Sequence, residues 1–261
     1  MKIKATRGLK LLVAAAAIGL LSASPLNAYV IQGSVEHKEY LPPVSQNFRA
    51  GATFAAPSNT TRVAWFPVPD WLAGAWMKNG DMETYVKDFR TGQEMRNPMW
   101  LNNKVRLAFG HQRDVKGTIW HAEILPFRAD GNRGDSTDRR YVMDMSCLQS
   151  NPGSVVLRFH SNVFRIDPVY SKIQTTTQQE EIVTFRPDNE GLIATTSSTK
   201  TFDENGKPIL QSFSNAERTK LSEFQPVAEL NGVNLVSSLN EFLTENKMFD
   251  RLPNTQEASQ N

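Results

Sequence analysis

Three histidines carry the most specific chemistry that this chain offers. His111 and His121 flank Asp114-Val115-Lys116-Gly117, a natural four-residue turn. A hairpin there sets the two imidazoles on adjacent strands, with His160 as a third ligand from a neighbouring one. Three imidazoles suit zinc or copper. A register shift of one residue would instead send the pair to opposite faces and leave three unrelated polar positions. The single cysteine, Cys147, alternates with Tyr141, Met143 and Met145 along a strand-like run, the setting of a structural thiol rather than a nucleophile. Ser146 and Ser154 lack the Gly-x-Ser-x-Gly context of a strained nucleophile. Glu180 and Glu181 are strand neighbours that point to opposite faces. No glycine loop for phosphate appears, and no catalytic constellation follows.

Two polar runs, Gln174-Thr175-Thr176-Thr177-Gln178-Gln179 and Thr195-Thr196-Ser197-Ser198-Thr199, make a hydrogen-bonding wall if they face inward. Threonine is a common exposed strand residue, so a solvated outer face is the expectation. Trp100, Trp120, Met143, Met145 and Phe159 are the large, adaptable side chains expected to line an apolar ligand site.

The elements that must position these residues are short strands. Apolar and β-branched runs at 104–112, 118–127, 141–148, 155–166, 173–185, 192–202 and 209–221 are separated by turn chemistry such as Ser150-Asn151-Pro152-Gly153 and Asp203-Glu204-Asn205-Gly206. Strands joined by so few residues pair antiparallel. The expected fold is all-β, an antiparallel up-and-down barrel, because closure removes the exposed edges of an open sheet. After Pro226 the period changes, and Leu235, Val236, Leu239, Phe242 and Leu243 mark an amphipathic helix within 229–250. The polar stretch at 129–140 is the longest interruption. Its Arg133-Gly134-Asp135 tripeptide is too short to indicate adhesion, and its acids lack the calcium-loop spacing.

Lys2, Lys4, Arg7 and Lys10 precede an apolar run at 11–21, and small residues lead to Leu26-Asn27-Ala28. This is the pattern of a Sec-type signal peptide covering 1–28, which implies a periplasmic or extracellular protein with no membrane span in its mature part. The remainder divides into an extended arm or linker at 29–62, a β domain at 63–228, the helix, and a polar tail at 251–261. The formal charge of +2 includes the four leader cations, so the mature chain offers no basic surface for nucleic acid. With one cysteine it forms no internal disulfide and must be held by packing.

Gly74-Ala75-Trp76 resembles the Gly-x-Trp signature of the calycin superfamily, which includes lipocalins, fatty-acid-binding proteins and nitrobindin-like haem proteins. The resemblance implies that Gly74 and Trp76 close the narrow end of a barrel, with an arginine from a late strand, here Arg218, over the indole. It also implies a terminal helix on the barrel wall and a small, partly apolar ligand inside. No cofactor is favoured: the haem branch uses a late histidine, and this chain has none after His160. The alternatives are an envelope structural or interaction protein with a filled barrel, and a haem- or metal-binding one.

Overall fold

A computed structural model describes residues 36–57, 61–132, 137–167 and 169–253. The leader, the Arg133-Gly134-Asp135 tripeptide and the end of the tail lie outside the described residues. Ten strands carry the architecture: β1 (Arg62–Val68), β2 (Gly74–Lys78), β3 (Asp81–Asp88), β4 (Val105–Phe109), β5 (Ile119–Leu125), β6 (Thr137–Asn151), β7 (Ser154–Ile166), β8 (Ile173–Pro187), β9 (Leu192–Phe202) and β10 (Pro208–Ser222). From β6 to β10 each strand pairs antiparallel with the next. The turns between them are built by short acceptor side chains. Asn151 Oδ1 accepts from the Gly153 and Ser154 amides, and Asp203 Oδ1 from those of Asn205 and Lys207, all at 2.9 Å.

β10 then returns to the start of the sheet. It pairs with β2 from Arg218 to Ser222 and with β3 from Leu210 to Asn215, so β2 and β3 are two halves of one bent strand. The bend falls at Asn79-Gly80, where the Trp100 indole covers the backbone so closely that a Cβ on Gly80 would sit 2.2 Å from it. β4 adds to the far side of β2.

The expected closed barrel is not what the ladders make. A twelve-stranded antiparallel sheet containing β2–β4 and β6–β10 stands beside a three-stranded sheet of β1, β5 and Gln112–Arg113, and the two are not joined into a closed cylinder. The reason is an extra strand: β1 pairs with β5 over its whole length, from Arg62↔Leu125 to Val68↔Ile119. It thereby takes the edge that β6 would have used. Along that seam β1 and β6 meet through side chains, with Ser150 Oγ donating to the Pro67 carbonyl at 2.7 Å and Arg62 paired to Asp144.

Trp76, Phe109, Leu157, Phe185 and Ile193 belong to the main buried core. A second core lies under α1 (Leu235–Glu245), whose Leu235, Leu239 and Leu243 bury against Trp65, Trp120, Ala122 and Ile124 of the small sheet. Asn234 caps the helix by accepting from the Ser237 amide at 3.0 Å. The helix is shorter than the span expected for it: residues 229–234 form a small hairpin instead, and Val236 is off the buried stripe and exposed. No helix among the described residues is long and apolar enough to cross a membrane.

The stretch read as a linker joins the compact unit from His37 onward. The Leu41 amide donates to the Gly206 carbonyl and the Val44 amide to that of Glu204, while Gln178 Nε2 donates to the Pro42 carbonyl at 2.9 Å and the Thr176 hydroxyl to that of Phe48. Thr176, Gln178, Glu180 and Ser198 are consequently buried. The expected solvated outer face of the polar strands is a docking surface for the arm, and its polar side chains satisfy an arm that has no strand ladder of its own.

Asp114 organises the turn into β5. Its carboxylate accepts from the Lys116 and Thr118 amides, from Trp120 Nε1 at 3.0 Å and from Arg251 Nη1 at 2.6 Å. Burial pushes its pKa up, but the bonds from Trp120 and Arg251 and the two amides outweigh it and hold the group below the usual carboxylate value. A depressed folded pKa gives stability that is complete above about pH 4 and is lost as pH falls through the folded value. Asp114→Ala is therefore expected to cost about 2–4 kcal/mol at pH 7. The gap from wild type should shrink on going to pH 3, as read by urea titration at both pH values.

Candidate functional site

Parity along β8 decides what meets inside the fold. Val183 and Phe185 are buried, so Gln179 and Glu181 share their face on a two-residue period. Leu157 and Phe159 on β7, Arg140 and Val142 on β6, Arg218 on β10 and Lys78 on β2 face the same space. With Phe109 and Phe127 they line a chamber of about 670 Å³. One part of its wall is hydrocarbon and aromatic, and another is charged.

The charged groups are arranged mostly in pairs. Lys78 Nζ donates to both oxygens of Asp81 at 2.7 and 2.6 Å, and Asn103 Nδ2 to one of them at 3.1 Å. Arg140 donates through Nη2 to Glu181 at 2.8 Å and through Nε to Ser161 Oγ at 3.0 Å. Among the described residues, Arg218 has no carboxylate within hydrogen-bond distance. Its Nε donates to Thr195 Oγ1 at 3.2 Å, its guanidinium lies 5.6 Å over the Phe185 ring, and Nη1 is buried without a hydrogen-bond partner. The residue is only 6% exposed. Burial pulls its pKa below the usual arginine value, against the charges of Asp81 and Glu181, yet a guanidinium stays protonated.

Gly74 opens β2 and Trp76 lies two residues into it, where there is no closed barrel end for them to seal, and the cation over the indole is Lys220, with Nζ 5.6 Å from the ring centre. Register explains the exchange, since Lys220 stands opposite Trp76 and Arg218 opposite Lys78. Of the five side chains expected to line a ligand site, Phe159 alone faces the chamber. Trp100 is 57% exposed over Gly80. Trp120 is in the core beneath the helix. Met143 falls at the β6 bulge between Val142 and Asp144. Met145 is a core residue and borders, with Cys147, a second cavity of about 560 Å³ along the seam between β1 and β6.

The hairpin does bring His111 and His121 together, with rings stacked at 4.6 Å between centres. Their Nδ1 atoms, however, already accept backbone amides, from Ala122 at 3.0 Å and Gly110 at 3.2 Å. Burial, and then the neighbouring His121, press the pKa of His111 down to about 3, so it is a neutral structural acceptor. His160 lies on the other, arm-covered face, bonded to Gln178 Oε1 at 3.2 Å. The three do not converge. Among the described residues no group of three or more His, Cys, Asp or Glu side chains is arranged to hold a metal.

One cluster has the connectivity of a hydrolytic relay. His37 bonds Ser198 Oγ through Nε2 at 2.7 Å and Glu180 through Nδ1 at 3.0 Å. Ser198 is 2% exposed, closed off from any substrate carbonyl, and Glu180 also accepts the Lys38 amide at 2.8 Å. The cluster pins the arm to the sheet. Burial pushes the Cys147 thiol up to about 11, which leaves it a thiol at neutral pH.

Glu181 was legible as an inward group from the parity of Val183 and Phe185. Lys78, Asp81 and Arg140 were not, because the bend at Gly80 and the bulges of β6 break the alternation that would have placed them.

Fold and site together define an antiparallel β protein that encloses a chamber of mixed polarity. No protein-family model, curated protein or solved structure matches the chain.

Proposed function

We propose that this is an exported, non-catalytic binding protein of calycin-like design that holds a small, partly apolar molecule in the chamber. The observation that carries the reading is the chamber itself. Its volume of about 670 Å³ falls in the range of small-molecule sites, and its lining combines an apolar wall with a few converging polar groups. The return of β10 to β2 beside Gly74 and Trp76, and the helix packed on the small sheet, support the calycin-like part. The basic and apolar leader supports export. A filled interior, as a purely structural protein would have, is disfavoured by the open volume.

Native mass spectrometry of the protein purified from its own compartment is the test. One molar equivalent of an amphipathic organic molecule, released by solvent extraction, is the expected result. Protein that is uniformly empty, and that takes up no hydrophobic fluorophore stoichiometrically in its folded state, would count decisively against the reading.

A further inference from the structure

Trp100 is held firmly at the surface with one face left uncovered. It sits in a short strand, Met99–Leu101, laddered to β3 through Asp81↔Leu101, Met82↔Trp100 and Glu83↔Met99. Its indole lies on Gly80, where a Cβ would be 2.2 Å from the six-membered ring. The φ of Gly80 is outside the left-handed region, so the backbone itself does not require glycine there. The seat for the indole does. Trp65, Trp71, Trp76 and Trp120 each donate through Nε1 to an acceptor in the protein. Trp100 alone of the five tryptophans donates to no described residue. An indole this exposed buries little apolar area, so what the arrangement provides is a fixed ring face.

The ladders extend that face into a row. Met82 stands opposite Asn215, and Asn215 opposite Thr196. Arg218 and Thr195 face inward and bond to each other, so Asn215 and Thr196 face outward on the two-residue period. Residues directly opposite share a face, and Trp100, Met82, Asn215 and Thr196 therefore cross four adjacent strands on the outer surface. Asn79, Asn102 and Lys104, all exposed, flank Trp100 and its glycine seat in the chain.

We propose that this outer row is a carbohydrate site: it takes a β-1,4-linked chain of equatorially substituted pyranoses, with one sugar stacked on Trp100 and the next ones over Met82, Asn215 and Thr196. The site is separate from the chamber and does not depend on it. Such sugars turn axial C–H bonds out of the ring plane, and these weakly positive hydrogens suit the negative face of an indole. Their hydroxyls lie around the edge, where the Trp100 N–H donates and the Asn215 amide and Thr196 hydroxyl both donate and accept. A β-1,4 chain is a flat ribbon whose repeat is close to the spacing of neighbouring strands, so it fits along a sheet face. A protein partner would call for further apolar surface around an anchoring tryptophan, whereas this row continues in polar side chains. The seat on Gly80 fixes the ring before binding and so reduces the ordering that binding requires.

Calorimetric titration of the purified protein with cellohexaose, chitohexaose and maltohexaose is the test. At least one of the two β-1,4 hexamers is expected to bind with a dissociation constant of about 10 µM to 1 mM, and the curved, α-linked maltohexaose about tenfold more weakly or less. Trp100→Ala should weaken the β-1,4 hexamer about tenfold or more. Gly80→Ala sets a methyl against the far end of the indole, not against backbone, so it should displace the ring and lose a similar factor with the tryptophan still present. Both variants should unfold close to the wild-type temperature. Trp100 and Gly80 do not line the chamber, so uptake of a hydrophobic fluorophore there should be unchanged. No binding of either β-1,4 hexamer, equal binding of maltohexaose, or binding undiminished in Trp100→Ala overturns the proposal, and each of these results leaves the chamber reading where it stands.

Discussion

Replacing Trp76 by alanine is expected to lower the unfolding free energy by about 3–5 kcal/mol, the range for large aromatic truncations in a core. Trp76 is 2% exposed and packs in the same cluster as Leu72, Phe109 and Phe185. Its indole Nε1 donates to the Leu72 carbonyl at 2.8 Å, which ties β2 to the turn at 69–73 where the Leu72 and Ala73 amides return to Pro69. Truncation therefore opens a void and leaves a buried carbonyl unsatisfied at once. Trp76→Phe keeps most of the volume and should cost about 1–2 kcal/mol, chiefly the hydrogen bond. Lys220→Met tests the cation over the ring, which is worth no more than about 1 kcal/mol at this exposure. Guanidinium titrations of the three variants should fall in that order.

Gly74→Ala is expected to be nearly as damaging, at about 2–5 kcal/mol, for a different reason. Gly74 has φ +125°, and a Cβ there would lie 2.4 Å from the Ser222 carbonyl oxygen. The strand begins where β10 bulges between Lys220 and Ser222, so the two backbones approach more closely than any side chain allows. Gly191 gives a comparison near the ordinary left-handed region, with neither the more extreme φ of Gly74 nor its contact. Gly191 also has positive φ, at +74°, but a Cβ there would meet nothing within 4 Å, so Gly191→Ala should cost only about 1–2 kcal/mol. Equal losses at positions 74 and 191 would show that the close approach to β10 is not what requires glycine. The glycine and tryptophan of the Gly-x-Trp pattern thus do separate work, one admitting a neighbouring backbone and the other filling the core behind it.

Much of the architecture could be read from the chain because its turns are explicit. Asp203-Glu204-Asn205-Gly206 and Ser150-Asn151-Pro152-Gly153 fix strand ends by local chemistry, and β7, β8 and β9 lie within two residues of their expected bounds. β1 and β3 were not legible. Arg62–Val68 follows a proline-bearing stretch, and whether its backbone pairs with β5 or nothing is decided only when β5 is in place. The same holds for the arm, whose anchors at Glu180 and Gln178 are about 140 residues away in sequence. Site residues divide on the same principle. The histidine pair followed from a local hairpin, whereas the assignment of Lys220 rather than Arg218 to Trp76 depended on a register between β2 and β10 that no local pattern states. Large hydrophobic side chains proved poor guides to the chamber, since Trp100, Trp120 and Met145 serve turns and cores, and the distinctive lining is charged.

The seam between β1 and β6 bears on what fixes the width of the chamber. A sealed cylinder has its girth set by strand number and stagger, and widening it means breaking a full row of backbone bonds. Here one wall is slit lengthwise and buttoned by the Ser150 hydroxyl and the Arg62–Asp144 pair. No ladder joins β1 to β6 along that line, so the spacing of the two panels there is set by side chains, above all by the core that Phe66 and Val68 share with Val142 and Met145.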